Sequence, residues 1–232
     1  MPYFYVDRYY WILIIPTMLF AFWAQSRVSS TFNKYSRVMS RGGYTAAEIC
    51  RRILDSNGLY HVRIEHISGN LTDHFDPSTN VVRLSDTVYG SRSVASIGVA
   101  AHEVGHAIQY AVGYVPIRVR AAIIPITNFG SKLSMPLILL GFLFQWQPIV
   151  NLGIILFSLM TLFQLVTLPV EPNASRRALK TLEGDSILYG EEVSQAKSVL
   201  TAAALTYVAA LLTSAAQLLR LILIYGRRNN RD

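Results

Sequence analysis

The sequence predicts a mainly α membrane protein: four transmembrane helices plus a small α+β domain that carries a His-Glu-x-x-His helix. Three observations point there. Of 232 residues, 52% are hydrophobic and only 15% charged, whereas soluble domains carry about 25% charged residues. The apolar residues are gathered into long runs. Between the first two runs lie short alternating segments, followed by Ala101-His102-Glu103-Val104-Gly105-His106-Ala107. The net charge of +7 therefore reads as loop bias near lipid headgroups. No basic stripe interleaved with aromatics suggests a nucleic-acid surface. Cys50 is the single cysteine, which excludes an internal disulfide and a thiolate metal cluster and suits a reducing compartment.

Tyr9 to Gln25 is long enough, with its flanks, to span a bilayer, and its aromatic ends suit the interface. A cleaved signal peptide ending near Ala24-Gln25-Ser26 is the competing reading. Bulky Trp23, Pro16 within the core and the lone Arg8 ahead of it favour an uncleaved anchor. Tyr44 to Ser56 has helical apolar spacing, with Thr45 and Glu48 placed as a capping box and Asn57-Gly58 as its end. Val62 to Glu65 and Val81 to Leu84 alternate as strands, the second after the turn Asp76-Pro77-Ser78-Thr79-Asn80, and predict a hairpin or small sheet. The strand Val82-Arg83-Leu84 is the candidate edge for holding a substrate backbone by β-augmentation. A plain structural strand is the alternative.

Ser93 to Val112 reads as a buried helix, ended before Pro116. Ala121 to Phe144, Ile149 to Leu168 and Val199 to Tyr225 are the remaining spans, with Gln145 to Pro148 as an interfacial turn and Arg220 placed to snorkel. The organisation expected is an anchor at 1–26, a catalytic region at 27–120, a transmembrane hairpin at 121–170, a loop or helix at 171–198, and a last span with a basic tail at 199–232.

Residues four apart on a helix share a face, so His102 and His106 can present imidazole nitrogens to one metal ion. Glu103, rotated by about 100°, can reach a metal-bound water without ligating the ion. Such a helix has no cheap way to bury these groups unpaired. A catalytic zinc site takes three protein ligands and keeps one open position. The extended motif with a glycine and a third histidine is excluded, because Gln109 and Val112 stand there and no histidine follows His106. A downstream ligand must then be Glu171, Glu183, Asp185, Glu191, Glu192 or Asp232. Glu171 stands out, at the end of the third span between Pro169 and Pro172, where an unpaired carboxylate is costly. An interfacial salt bridge to Arg176 or Arg177 is the plainer role for it, and Glu183 or Asp185 could orient a histidine instead. Four spans place the His-Glu-x-x-His segment and Glu171 on one side of the membrane. Arg27, Lys34, Arg37, Arg41, Arg118, Arg120, Arg176, Arg177 and Lys180 put that side in the cytoplasm, against the vote of the basic tail Arg227, Arg228 and Arg231.

Leu71 to Pro77, Val94 to Gln109 and Leu168 to Leu179 together resemble the YugP-like family of neutral zinc metallopeptidases in bacterial membranes, over nearly the whole chain. The resemblance implies a zincin-like, gluzincin-type peptidase of the bacterial cell membrane with one zinc ion, His102 and His106 as ligands and Glu103 as catalytic base. More distantly, Glu171-x-x-x-Ser175 looks like the Glu-x-x-x-Asp ligand motif of HtpX-like membrane proteases, with Ser175 in place of the aspartate. The activity expected is endoproteolysis of a protein or peptide substrate, itself membrane-associated. Arg177, Arg176 or His74 could donate to the oxyanion. A zinc-containing membrane scaffold or assembly partner is the alternative, and a membrane-protein partner or a second copy of the chain is compatible with either.

Overall fold

A computed structural model describes residues 7–225. Helix α1 (Ile15–Tyr35) is preceded by one π-helical turn, Tyr10–Ile14. Helix α2 (Ala46–Ser56) starts at the capping box: Thr45 Oγ1 accepts from Glu48 N, and Glu48 Oε2 accepts from Thr45 N at 2.7 Å. Strands β1 (Arg63–Ile67), β2 (His74–Asp76) and β3 (Val81–Ser85) follow. Then come α3 (Val94–Ala111), α4 (Val115–Leu143), α5 (Gln147–Thr167), α6 (Val170–Gly184) and α7 (Glu191–Tyr225). Four helical stretches are long and apolar enough to cross a membrane: Tyr10–Tyr35, Val115–Leu143, Gln147–Gly184 and Glu191–Tyr225. The basic tail Arg227, Arg228 and Arg231 and the carboxylate Asp232 lie outside the described residues.

Boundaries differ from the sequence reading where polar residues continue a helix. The first helix runs on to Tyr35, and α7 begins at Glu191 rather than Val199. It is Gly113, at φ 68°, that ends α3; a side chain there would strain the backbone. Pro116 does not break a helix but sits in the first turn of α4, where its missing N–H costs nothing.

A small sheet forms, as one of the two alternatives expected, but with a different pairing and edge. Its order is β1-β3-β2. The first and third strands pair in parallel, Arg63 opposite Val81, and so do not form a hairpin. The hairpin is β2–β3, Phe75 opposite Val82, with β2 falling just ahead of the turn in a stretch not expected to be a strand. Asp76 makes that turn. Its carboxylate accepts from Ser78 N, Ser78 Oγ, Thr79 Oγ1 and, at 3.0 Å, Arg83 Nη1. The bonds from Ser78, Thr79 and Arg83 hold the Asp76 carboxyl well below the usual carboxylate range. Asp73 ties the preceding loop to Ser85 N and Oγ. Because β3 is central, it has no open edge, and the expected pairing of a substrate with Val82-Arg83-Leu84 is not available.

The chain separates into two compact units. One comprises Gln25–Arg118 and Pro169–Leu205. Its core joins Ile49, Ile53 and Leu54 of α2, Val82 and Leu84 of β3, Ile97 and Val104 of α3, Leu182 of α6 and Ala196 of α7. The other comprises the N-terminal residues to Ala24, Val119–Leu168 and the residues from Thr206. In it Ile138, Phe157 and Leu221 pack together. Arg220, expected to snorkel, pairs with Asp7 just ahead of the first span: its Nε donates to Asp7 Oδ2 at 3.0 Å.

Candidate metal centre

Helix α3 starts at Ser93, whose hydroxyl accepts from Ser96 N at 3.2 Å. Its next three turns are nearly all buried, and the small residues Gly98, Ala100, Ala101, Gly105 and Ala107 let other helices approach. At Gly105 the approach is closest. A Cβ built there would lie 2.6 Å from the carbonyl oxygen of Ala174 on α6. The two backbones touch, and this contact brings the beginning of α6 over the His-Glu-x-x-His turn.

His102 and His106 stand one above the other, ring centroids 4.7 Å apart. Glu171, 2% exposed, reaches both from α6: its Oε2 lies 3.3 Å from His102 Nε2 and 3.5 Å from His106 Nε2. The donor atoms of the three residues lie within 4.8 Å of one another and could hold a metal ion. The donor set suits zinc, which takes imidazole nitrogen and carboxylate oxygen at about 2.0–2.2 Å in a tetrahedron. Arms of that length give a tetrahedral edge of about 3.3 Å, close to the two nitrogen–oxygen distances. The charges agree. Burial alone would lower the pKa of His106, but its bond to Glu171 and the charges of Glu103 and Glu171 raise it, so the site favours a cation.

Each imidazole also has its other nitrogen occupied. His102 Nδ1 lies 3.1 Å from Ser175 Oγ. His106 Nδ1 lies 3.0 Å from Gln109 Oε1. Gln109 Nε2 donates in turn to the Val170 carbonyl at 2.8 Å and to Asn173 Oδ1 at 2.9 Å. Glu103, 8% exposed, accepts a bond from Phe75 N on β2, at 3.1 Å. Phe75 packs on Tyr110 of α3, ring centroids 5.7 Å apart. Of the two sheet edges, β2 is therefore the one that meets the site.

The remaining downstream carboxylates go elsewhere. Glu183 and Glu191 are exposed, and Asp185 is the C-cap of α6. Glu192 accepts from Arg41 N and Tyr189 N. Arg177 Nε donates to Asn173 Oδ1 at 2.9 Å. Arg176 is exposed and lines a groove of about 820 Å³ between α6 and α7, together with Ser175, Leu179, Lys180, Lys197 and Leu200. His74 is exposed on β2, its Nδ1 2.9 Å from the Thr72 carbonyl and its Nε2 3.4 Å from Arg83 Nη1. Sequence reasoning passed over Gln109 and Asn173. The available signal was an amide three residues after His106, on the buried side of a helix that otherwise buries apolar groups.

Comparison with known proteins agrees with the geometry. Residues 10–226 match the family described as "putative neutral zinc metallopeptidase". The chain is 48% identical, over 220 residues, to "putative membrane protease YugP" of Bacillus subtilis (strain 168), covering 94% of this chain and 98% of that protein. No solved structure matches it. With a family match over almost its whole length and a His/His/Glu cluster inside the matched region, the chain belongs to the family described as "putative neutral zinc metallopeptidase".

Proposed function

We propose that the chain is a membrane-embedded zinc endopeptidase with one zinc ion, held by His102, His106 and Glu171, and with Glu103 as general base. The observation that carries this reading is the meeting of two Nε2 atoms and a buried carboxylate, with a second carboxylate one residue away on the same helix. Three protein ligands leave a tetrahedral site one open position, the arrangement of catalytic rather than structural zinc. The catalytic part is a zincin-like region formed by 27–120 and 171–198; the membrane part is the anchor 1–26, the hairpin 121–170 and the last span from 199. The active site faces the cytoplasm, on the basic side of the spans.

Zinc held by His102, His106 and Glu171 would supply Lewis-acid polarisation of the scissile carbonyl and would acidify the attacking water. Glu103 takes the proton of the attacking water and later delivers it to the leaving amine. The Phe75 N–H holds Oε2 of Glu103, which orients the carboxylate and leaves Oε1 to carry the proton. Arg177 and Arg176 are the cations assigned to the developing oxyanion, with His74 as the third candidate.

Zinc per chain in detergent-purified protein, wild type against Glu171→Ala, tests the ligand set. About one zinc ion in the wild type and a clear loss in the variant are expected; zinc unchanged by the substitution removes Glu171 from the set. Glu103→Gln is expected to keep zinc and to lose cleavage of an unfolded protein substrate by about 100-fold or more. A wild type that holds zinc and cleaves neither unfolded protein nor small amides favours the scaffold.

A further inference from the structure

We infer that Gln109 is a positioning residue of the metal centre, a single side chain that selects the His106 nitrogen free to bind metal and seats the start of the helix bearing Glu171. The inference rests on the ligand reading above and concerns residues outside that ligand set.

The Gln109 amide is fully buried, and its contacts leave it one orientation. An amide nitrogen only donates, and an amide oxygen only accepts. The Val170 carbonyl oxygen, 2.8 Å away, can only accept, so the end of the amide facing it is Nε2. The second hydrogen of Nε2 goes to Asn173 Oδ1 at 2.9 Å. That oxygen is itself identified by Arg177 Nε, a pure donor, at 2.9 Å. Oε1 is then the atom that faces His106 Nδ1, at 3.0 Å. An acceptor in that place requires the hydrogen on Nδ1. Neutral His106 therefore keeps its lone pair on Nε2, the nitrogen turned to Glu171. A backbone carbonyl on α6 thus decides, through one amide, the tautomer of a histidine on α3.

The same amide acts at its other end. Val170 immediately precedes Glu171, and Pro169, the N-cap of α6, supplies no side-chain cap. Bonds from Gln109 to Val170 and Asn173 hold this uncapped first turn sideways against α3. The support of His102 is different in kind. The Ser175 hydroxyl on its Nδ1 can donate or accept, so it orients the ring without selecting a tautomer. Gln109 should consequently matter more to metal binding than Ser175.

The test uses the full chain in detergent, with zinc affinity measured by competition against a chromophoric chelator and site geometry by the visible spectrum of the cobalt(II) form. Gln109→Met conserves volume and removes all three bonds; Gln109→Glu keeps an acceptor for His106 Nδ1 and loses both donors. Gln109→Met is expected to weaken zinc about 10- to 100-fold and to alter the cobalt spectrum. Gln109→Glu should fall between it and the wild type, and Ser175→Ala should lose less than Gln109→Met. A purely packing role would lower the melting temperature of the metal-free chain and leave zinc affinity and the cobalt spectrum unchanged. That result, or Ser175→Ala costing more than Gln109→Met, overturns the inference while zinc in the wild type and its loss in Glu171→Ala leave the ligand reading standing. A wild type that takes up no zinc overturns the ligand reading and this inference together. Should Gln109→Met fail to fold, Asn173→Ala, which removes one of the two α6 contacts from a half-buried position, is expected to weaken zinc several-fold and overturns the inference if it does not.

Discussion

Helices α3 and α5 are both apolar, and for opposite reasons. Helix α3 buries Ala95, Ile97, Ala100 and Val104 against other parts of the protein. Helix α5 turns Leu152, Ile155, Leu162 and Leu165 outward, Ile155 with 59% of its surface exposed, as a span bathed in lipid would. The difference shows in residue choice. The protein-facing helix uses glycine, alanine and serine, so that backbones close on one another. The outward-facing helix uses leucine, isoleucine and phenylalanine, which fill space without needing a partner. Only the first environment can hold His102, Glu103 and His106, because only there do fixed neighbours offer Glu171, Gln109, Ser175 and Phe75 N to satisfy them.

The comparison can be broken most forcefully at Ile155. Placing a charge there with Ile155→Lys should cost about 3 kcal/mol of insertion near the middle of a span, read as the fraction of chain integrated into membranes. The inserted fraction should bind zinc normally. Equal integration of variant and wild type would mean that α5 does not face lipid.

Glycine packing occurs in both helices and sharpens the contrast. A Cβ at Gly105 would lie 2.6 Å from Ala174 O, and one at Gly153 of α5 would lie 2.6 Å from Ile138 Cγ1 and 2.8 Å from Ser134 O. Each alanine substitution should destabilise by about 1–3 kcal/mol through overpacking. Gly105→Ala should also weaken zinc, because it pushes Glu171 away from the histidines. Gly153→Ala should leave zinc uptake as it is, measured on the folded fraction; zinc loss in both would show that the two packings are coupled.

Thr45→Ala removes the cap of α2 and should cost about 1 kcal/mol in thermal or denaturant unfolding, with no effect on zinc. The smallest effect is expected at the β2–β3 turn. Because the folded pKa of Asp76 is depressed, its contribution is present above the ordinary carboxylate value of about 3.9 and fades as pH falls below it. Asp76→Asn should flatten that acid limb of the stability curve by lowering stability near neutral pH, where the contribution is present, and only slightly, because the turn is solvent-screened.

Several features were legible because they are local. The capping box at Thr45 and Glu48 and the placing of His102 and His106 on one face depend on helix period alone. Glu171 was reachable by elimination, since no histidine follows His106 and few carboxylates do. The sheet was not legible in the same way. Parallel pairing of β1 with β3 and the insertion of β2 at the edge depend on chain crossing, and a three-residue strand such as His74–Asp76 carries too little alternation to declare itself. The candidate substrate strand was misplaced for that reason.

By itself, the sequence determined four apolar spans, a helix with two histidines and a glutamate at metal-binding spacing, and a short supply of further ligands. Spacing along one helix and composition over about twenty residues are properties that a chain carries with it. Only the tertiary structure decided that α6 lies against Gly105, that Gln109 reaches both His106 and the Val170 carbonyl, and that β2 rather than β3 meets Glu103. Those are meetings between residues far apart in the chain, and they follow from which surfaces can close on each other without leaving a buried polar group unmatched.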